Sequence, residues 1–190
     1  MRGDGLLGVE ALVKAESAAV EMYRFAALML GNETEALDLV ESTVAGVEID
    51  PCADPGAAKG LVRQRVLDGA LKIMHEHDPA SFADLPAASG GGPCIEDDTT
   101  VPLSGAEISE LMAGAGRGPL RDWLARLSQA QRAVFVQRAV LGSSNAVTAQ
   151  AINRHAKPSI WTPEAVSSLF RQALCSLASS LVHSAAPTQI

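Results

Sequence analysis

Residues 120–181 read LRDWLARLSQAQRAVFVQRAVLGSSNAVTAQAINRHAKPSIWTPEAVSSLFRQALCSLASSL. Leu120, Trp123, Leu124 and Leu127 fall at i, i+3, i+4 and i+7, the period of a helix with one apolar face. Ser128 followed by Gln131 is a capping-box signature, so a second helix, Ser128 to Leu141, begins at a corner directly after the first. A short helix follows, then a turn of eight residues, Arg154 to Trp161, where three or four are usual. Thr162, Pro163 and Glu164 supply an N-cap, a proline at N1 and an acidic first turn, so a final helix starts there. Val166, Leu169, Phe170, Ala173, Leu177 and Leu181 put one apolar stripe along it. This order of elements is a helix-turn-helix.

Upstream the same helical signals recur. Leu6 to Leu30 reads as a helix with a break near Glu16 and Ser17 and a core stripe of Tyr23, Ala26, Ala27 and Leu30. Gly31 ends it by tolerating a left-handed backbone, and Asn32 with Glu35 caps a helix on which Leu37, Val40 and Val44 share a face. Asp50 to Gly56 is a loop. From Ala57 to His77 a third helix turns Val62, Val66, Ala70 and Ile73 inward, flanked by Leu67, Leu71 and Met74. Gly60 and Gly69 within it either weaken the helix or allow a close approach. Residues 78–103 hold four prolines, the run Gly90 to Gly92 and the acids Glu96 to Asp98, a composition that cannot bury enough apolar surface to fold alone. The expected architecture is all-α: a helical bundle over 1–77, a flexible linker over 78–103, and a helix-turn-helix domain over 104–190. The last begins with a short helix capped by Ser104 and Glu107.

Composition agrees with helices. Hydrophobic residues make up 47% of the 190, but aromatics only 4%, so the core is chiefly Ala, Leu and Val, and alternating β-branched runs are absent. The longest apolar run, Phe25 to Leu30, falls far short of the roughly 20 residues that span a bilayer. No signal-peptide pattern opens the sequence, so no membrane association and a cytoplasmic location are expected. Cys52, Cys94 and Cys175 are odd in number and widely spaced, which reads as three reduced thiols. Residues 1–100 carry 7 basic against 18 acidic side chains, −11; residues 101–190 carry 8 against 4, +4; together they give the net −7. Phosphate contacts therefore belong to the second half.

These parts resemble the extracytoplasmic-function sigma factors of bacterial RNA polymerase over roughly residues 15–77 and 119–181. Tyr23-Arg24-Phe25-Ala26, Gly31-Asn32-Glu33 and Ala36-Leu37-Asp38-Leu39-Val40-Glu41-Ser42-Thr43 are similar to the family's Y-R-x-A, G-D/N and A-E-D-L-V-Q-E-T. Leu127 to Phe135 resembles the family's L-P-x-x-x-R-x-V-F. Gly142, Ser144 and Ala149 fall where it has G-x-S-x-x-x-I-A, and Asn153 falls where it has a glycine in a left-handed turn. Val166, Ser168, Ala173 and Leu177 match the framework of its recognition helix.

The resemblance implies a factor that binds core RNA polymerase and directs it to promoter DNA, under control of an anti-sigma factor. It assigns polymerase contact to Asp38, Leu39, Glu41 and Ser42, and the expected DNA contacts are Thr162, Ser167, Ser168 and Arg171 together with Arg154 and Lys157, whose charges lie in the long turn that departs from the family. His155 adds to the turn's phosphate-binding potential. The acidic first half and departures from the family favour the alternative, a sigma-like interaction module or anti-sigma decoy that has lost DNA binding. Ser167, Leu169, Gln172 and Leu174 stand where the family's helix is basic, and the helix from Ala57 to Met74, despite Lys59, Arg63, Arg65 and Lys72, lacks aromatics to stack melted bases. An unrelated all-α protein is the third reading. His75-Glu76-His77-Asp78 holds metal-ligand types, but i and i+2 positions point to different sides of a helix, so a polar helix end is the simpler reading. No phosphate loop, paired carboxylates or nucleophile with a base emerges, so neither an enzyme nor a cofactor is expected.

Overall fold

A computed structural model describes residues 4–47, 54–83, 106, 117–157 and 160–185, and every regular element among them is helical. The protein is all-α. The helices are α1 (Asp4–Leu30), α2 (Glu33–Ala45), α3 (Pro55–His77), α4 (Pro79–Ala83), α5 (Arg117–Arg126), α6 (Gln129–Phe135), α7 (Asn145–Asn153) and α8 (Pro163–Ala185). A π-helical turn, Val136–Val140, follows α6. By internal contacts the chain falls into two compact units, Met1–Ala70 and Leu71–Ile190.

In the first unit α1 runs unbroken through Glu16 and Ser17, where a break was expected. Neither residue carries a helix penalty comparable to that of Gly or Pro. The face of α1 that is buried is Met22, Phe25, Ala26 and Met29, one residue out of register with the expected stripe. Tyr23, Ala27 and Leu30 are only half-buried. Both faces contain Ala26, and the one carrying two methionines and a phenylalanine removes more apolar area from water. Gly31 takes φ 70° and closes the helix with its N–H on the Ala27 carbonyl at 2.9 Å. The Asn32 side chain then accepts the amides of Thr34 and Glu35 at 3.0 and 3.3 Å and starts α2.

Helix α2 packs against α1 with Ala36 and Val40 buried. Leu37 and Val44, expected beside Val40, remain 46% and 47% exposed. In α3, Asp54 caps the first turn by accepting the Ala57 amide at 2.9 Å, and Val66 and Ala70 are buried as the periodicity predicts. A Cβ placed on Gly69 would lie 2.5 Å from Leu39 Cδ1, so here α3 approaches α2 through a missing side chain. Nothing lies within 4 Å of the equivalent position on Gly60. Lys59 Nζ meets Glu21 at 2.6 Å, and Arg65 donates to the Gly46 carbonyl at 3.3 Å.

The division between the units falls inside α3. Leu71 and Met74, expected to flank the inward stripe, are buried more fully than Ile73. Residues 79–83, expected as the start of a linker, form α4 instead, and Phe82 is 1% exposed. One aromatic ring gave this proline-containing stretch what its composition otherwise lacked, an apolar anchor. Residues 84–103 of the expected linker lie outside the described residues. So does the expected helix after Ser104, except Ala106, which is helical.

The second unit has an aromatic core. Trp123 of α5 meets Phe135 of α6 edge-on at 4.8 Å, Phe135 lies 6.2 Å from Phe170 of α8, and the Arg138 guanidinium covers the Phe170 ring at 5.1 Å. Trp123 Nε1 donates to Ser176 Oγ at 3.1 Å, and Arg126 to Ser180 Oγ at 3.2 Å. The capping box at Ser128 and Gln131 is present in both directions. The helix it starts shifts after Phe135 to five-residue spacing, with fully buried Gln137 donating Nε2 to the Ala133 carbonyl at 3.2 Å.

Cys175, read above as a reduced thiol, is disulfide-bonded, and its partner lies outside the described residues. Count and spacing along the chain carry no information about which cysteines meet in space.

Candidate nucleic-acid interface

Helices α7 and α8 and the turn between them place the residues assigned to DNA. Gly142 enters the module at φ 66°. The Ser144 hydroxyl then accepts the Val147 amide at 3.2 Å to begin α7. Ala149, Ala151 and Ile152 are buried, as a small crossing residue and its apolar neighbours require. The left-handed role expected of Asn153 is not what it performs: no described residue other than glycine has positive φ. Asn153 ends α7 with helical backbone, and its side chain spans the turn. Its Nδ2 donates to the Trp161 carbonyl at 2.8 Å, and its Oδ1 accepts the Trp161 amide at 3.1 Å. The Asn153 side chain thus clasps the Trp161 backbone, two residues before α8 begins at Pro163.

At the start of α8, Thr162 Oγ1 accepts the Ala165 amide at 3.2 Å. Glu164 is fully exposed, and hydrogen bonds from its own backbone N–H and from the Thr162 side chain hold its carboxyl below the usual carboxylate range. Arg154, Lys157 and Thr162 are exposed, whereas Ser167, Ser168 and Arg171 are half-buried. Arg154 caps α7 with its N–H on the Gln150 carbonyl at 3.3 Å. Leu169 and Leu174, at positions that are basic in the resembling family, are 2% exposed and form part of the core with Val166, Phe170, Ala173 and Leu177. Only Ser167 and Gln172 of that set reach toward solvent.

In the first unit Asp38, Glu41 and Ser42 are exposed. Leu39 is half-buried with its methyl over Gly69, and the Ser42 hydroxyl donates to the Leu39 carbonyl at 3.1 Å, so both serve their own fold. The outward face of α2 carries Leu37, Glu41 and Val44 at i, i+4 and i+7, an apolar pair around a carboxylate. Helical periodicity alone had assigned that pair inward. The acidic residues Glu33, Glu35, Asp38 and Glu41, with no Lys or Arg on α2, would have marked the side left to solvent.

The polar run at the end of α3 is accounted for differently. The His75 ring stands edge-on to Phe82 at 5.7 Å, and Asp78 Oδ1 accepts the Ser81 amide at 3.1 Å. Among the described residues no cluster of three His, Cys, Asp or Glu is placed to hold a metal ion, and no helix is long and apolar enough to cross a membrane. No family model, curated protein or solved structure matches the chain.

Proposed function

We propose that this chain is a divergent sigma-like transcription factor of the extracytoplasmic-function type, acting in the cytoplasm. It docks on core RNA polymerase through the exposed side of α2 and presents α7 and α8 to promoter DNA. The observation that carries the reading is the helix-turn-helix framework of 128–177. The Ser128, Ser144 and Thr162 caps, the left-handed Gly142, the buried Ala149 and the core stripe of α8 support this reading. On α2, exposed Asp38 and Glu41 suit a basic partner, and Leu37 and Val44 add apolar contact.

A second reading has its own support. Burial of Leu169 and Leu174 leaves α8 with Arg171 as its one cation among the described residues. A helix so poor in donors reads base edges badly. On this view the chain is an interaction module that binds an anti-sigma factor and has given up promoters.

Two measurements on the full chain separate them. Pull-down with core RNA polymerase should retain the protein, and Asp38→Arg with Glu41→Arg should release it. Double-stranded DNA binding by Arg154, Lys157 and Arg171 should show a slope of log K against log salt of about −2 to −3, near −0.9 per phosphate. Polymerase retention with a flat slope would favour a non-DNA module, and loss of both would sink the sigma reading.

A further inference from the structure

Helix α4 and the turn before α8 are joined by contacts that all lie within the second unit. Phe82 and Trp161 are 1% and 3% exposed, and their rings lie 6.4 Å apart. Trp161 Nε1 donates to the Phe82 carbonyl at 3.1 Å in a buried bond. Ser81 Oγ accepts the Ala130 amide at the start of α6 at 2.9 Å. Trp161 is therefore held at its indole by α4 and at its backbone by Asn153 of α7. It is also the residue directly before the Thr162 cap of α8.

We propose that α4 is a strap whose docking fixes Trp161, and through it the Asn153 clasp and the start of α8, so that the module has a strapped and an unstrapped state. A five-residue helix does not hold its own shape in water. Among the described residues its place rests on the Phe82 ring, set against Trp161 and His75, and on two hydrogen bonds to the rest of the unit. If α4 leaves, the Trp161 N–H stays buried without an acceptor, a state costly enough that Trp161 must move too. The Asn153 clasp then loses the backbone it grips. The strapped state leaves Thr162, Pro163 and Glu164 exposed, so docking organises the start of α8 rather than covering it. A single residue, Asp78, separates α4 from α3, so a ligand or partner that displaces the end of α3 pulls on the strap. By linkage, whatever fixes the turn also favours docking of α4.

Hydrogen exchange on the full chain tests this without reference to DNA or polymerase. Phe82→Ala should speed amide exchange in peptides covering Asn153 to Trp161 by tenfold or more, leaving α1 and α2 unchanged, and Phe82→Leu should restore part of the protection. Trp161→Phe keeps a ring but removes the indole donor. It should speed exchange at the Ser81 amide by about tenfold, the value of one hydrogen bond. Unchanged exchange at 153–161 in Phe82→Ala would overturn the strap. Equal acceleration throughout the second unit would also overturn it, by making Phe82 an ordinary core residue; Ser81→Ala, a milder change, should then show the same uniform pattern.

Discussion

Glu164 and Arg132 show what single side chains contribute. The Glu164 carboxyl is held below its ordinary value by its own N–H and by Thr162. A depressed folded value means that its stabilising contribution is complete above the unfolded pKa, near 4.5, and is lost as pH falls through the folded one. The Glu164 and Ala165 amide resonances should therefore titrate on the acid side of 4.5, and Thr162→Val should move that step upward toward it. A midpoint unchanged by Thr162→Val would remove the hydroxyl from the account. Arg132 is 9% exposed, its Nε has no hydrogen-bond partner, and burial lowers its pKa. Among the described residues no carboxylate pairs with this desolvated cation, so Arg132→Met should be neutral or should raise stability by about 1 kcal/mol in thermal denaturation. A loss of more than about 2 kcal/mol would mean that the charge is compensated after all. Caps such as Asn32, Ser128 and Thr162 were legible in the sequence because donor and acceptor lie within three residues. Asn153 was not, since its partner is set by how the turn closes.

Among the elements, α8 separates two roles that its sequence seems to mix. Leu174 is core and Gln172 half-exposed, although both occupy positions that are basic in the resembling family. Leu174→Arg should cost about 3 kcal/mol or more, by burying a charge in place of a side chain that fills space. Gln172→Arg should change stability by less than about 0.5 kcal/mol. On the DNA-binding reading it should also steepen the salt slope by about 0.9. Chemical denaturation and the salt titration read the two outcomes, and a stable Leu174→Arg would contradict the burial. The 3.6-residue period located α8 and its stripe correctly because one continuous face meets the core. It placed the stripe of α1 one residue out of register, and on α2 it was right for Val40 but not for Leu37 and Val44, which stay exposed while Ala36 is buried. The shift to π spacing after Phe135 left no such trace in the periodicity.

For the molecule as a whole, all-helical character was legible in composition, whereas the extent of each compact unit was not. Asp78 to Ala83 reads as spacer until Phe82 meets Trp161, a contact between residues 79 positions apart that no local pattern encodes. The same holds for Cys175. Peptide mapping of the unreduced protein should find Cys175 joined to Cys52 or Cys94, with one free thiol, and Cys175→Ser should leave two; three free thiols in the wild type would exclude the bond. A disulfide is uncommon in a reducing compartment, so the cytoplasmic proposal implies that this one responds to oxidants. The approach of Leu39 to Gly69 has a consequence for descent. A side chain added at 69 would meet the Cδ1 end of Leu39, so growth at 69 is accommodated by a turn of the Leu39 side chain or by a smaller residue at 39. Lineages that keep this fold should carry a large residue at 39 with glycine at 69, or a small one at 39 with alanine or serine at 69. The two sites should be inherited as a pair, and chimeras that split the pair should fold worse than either parent.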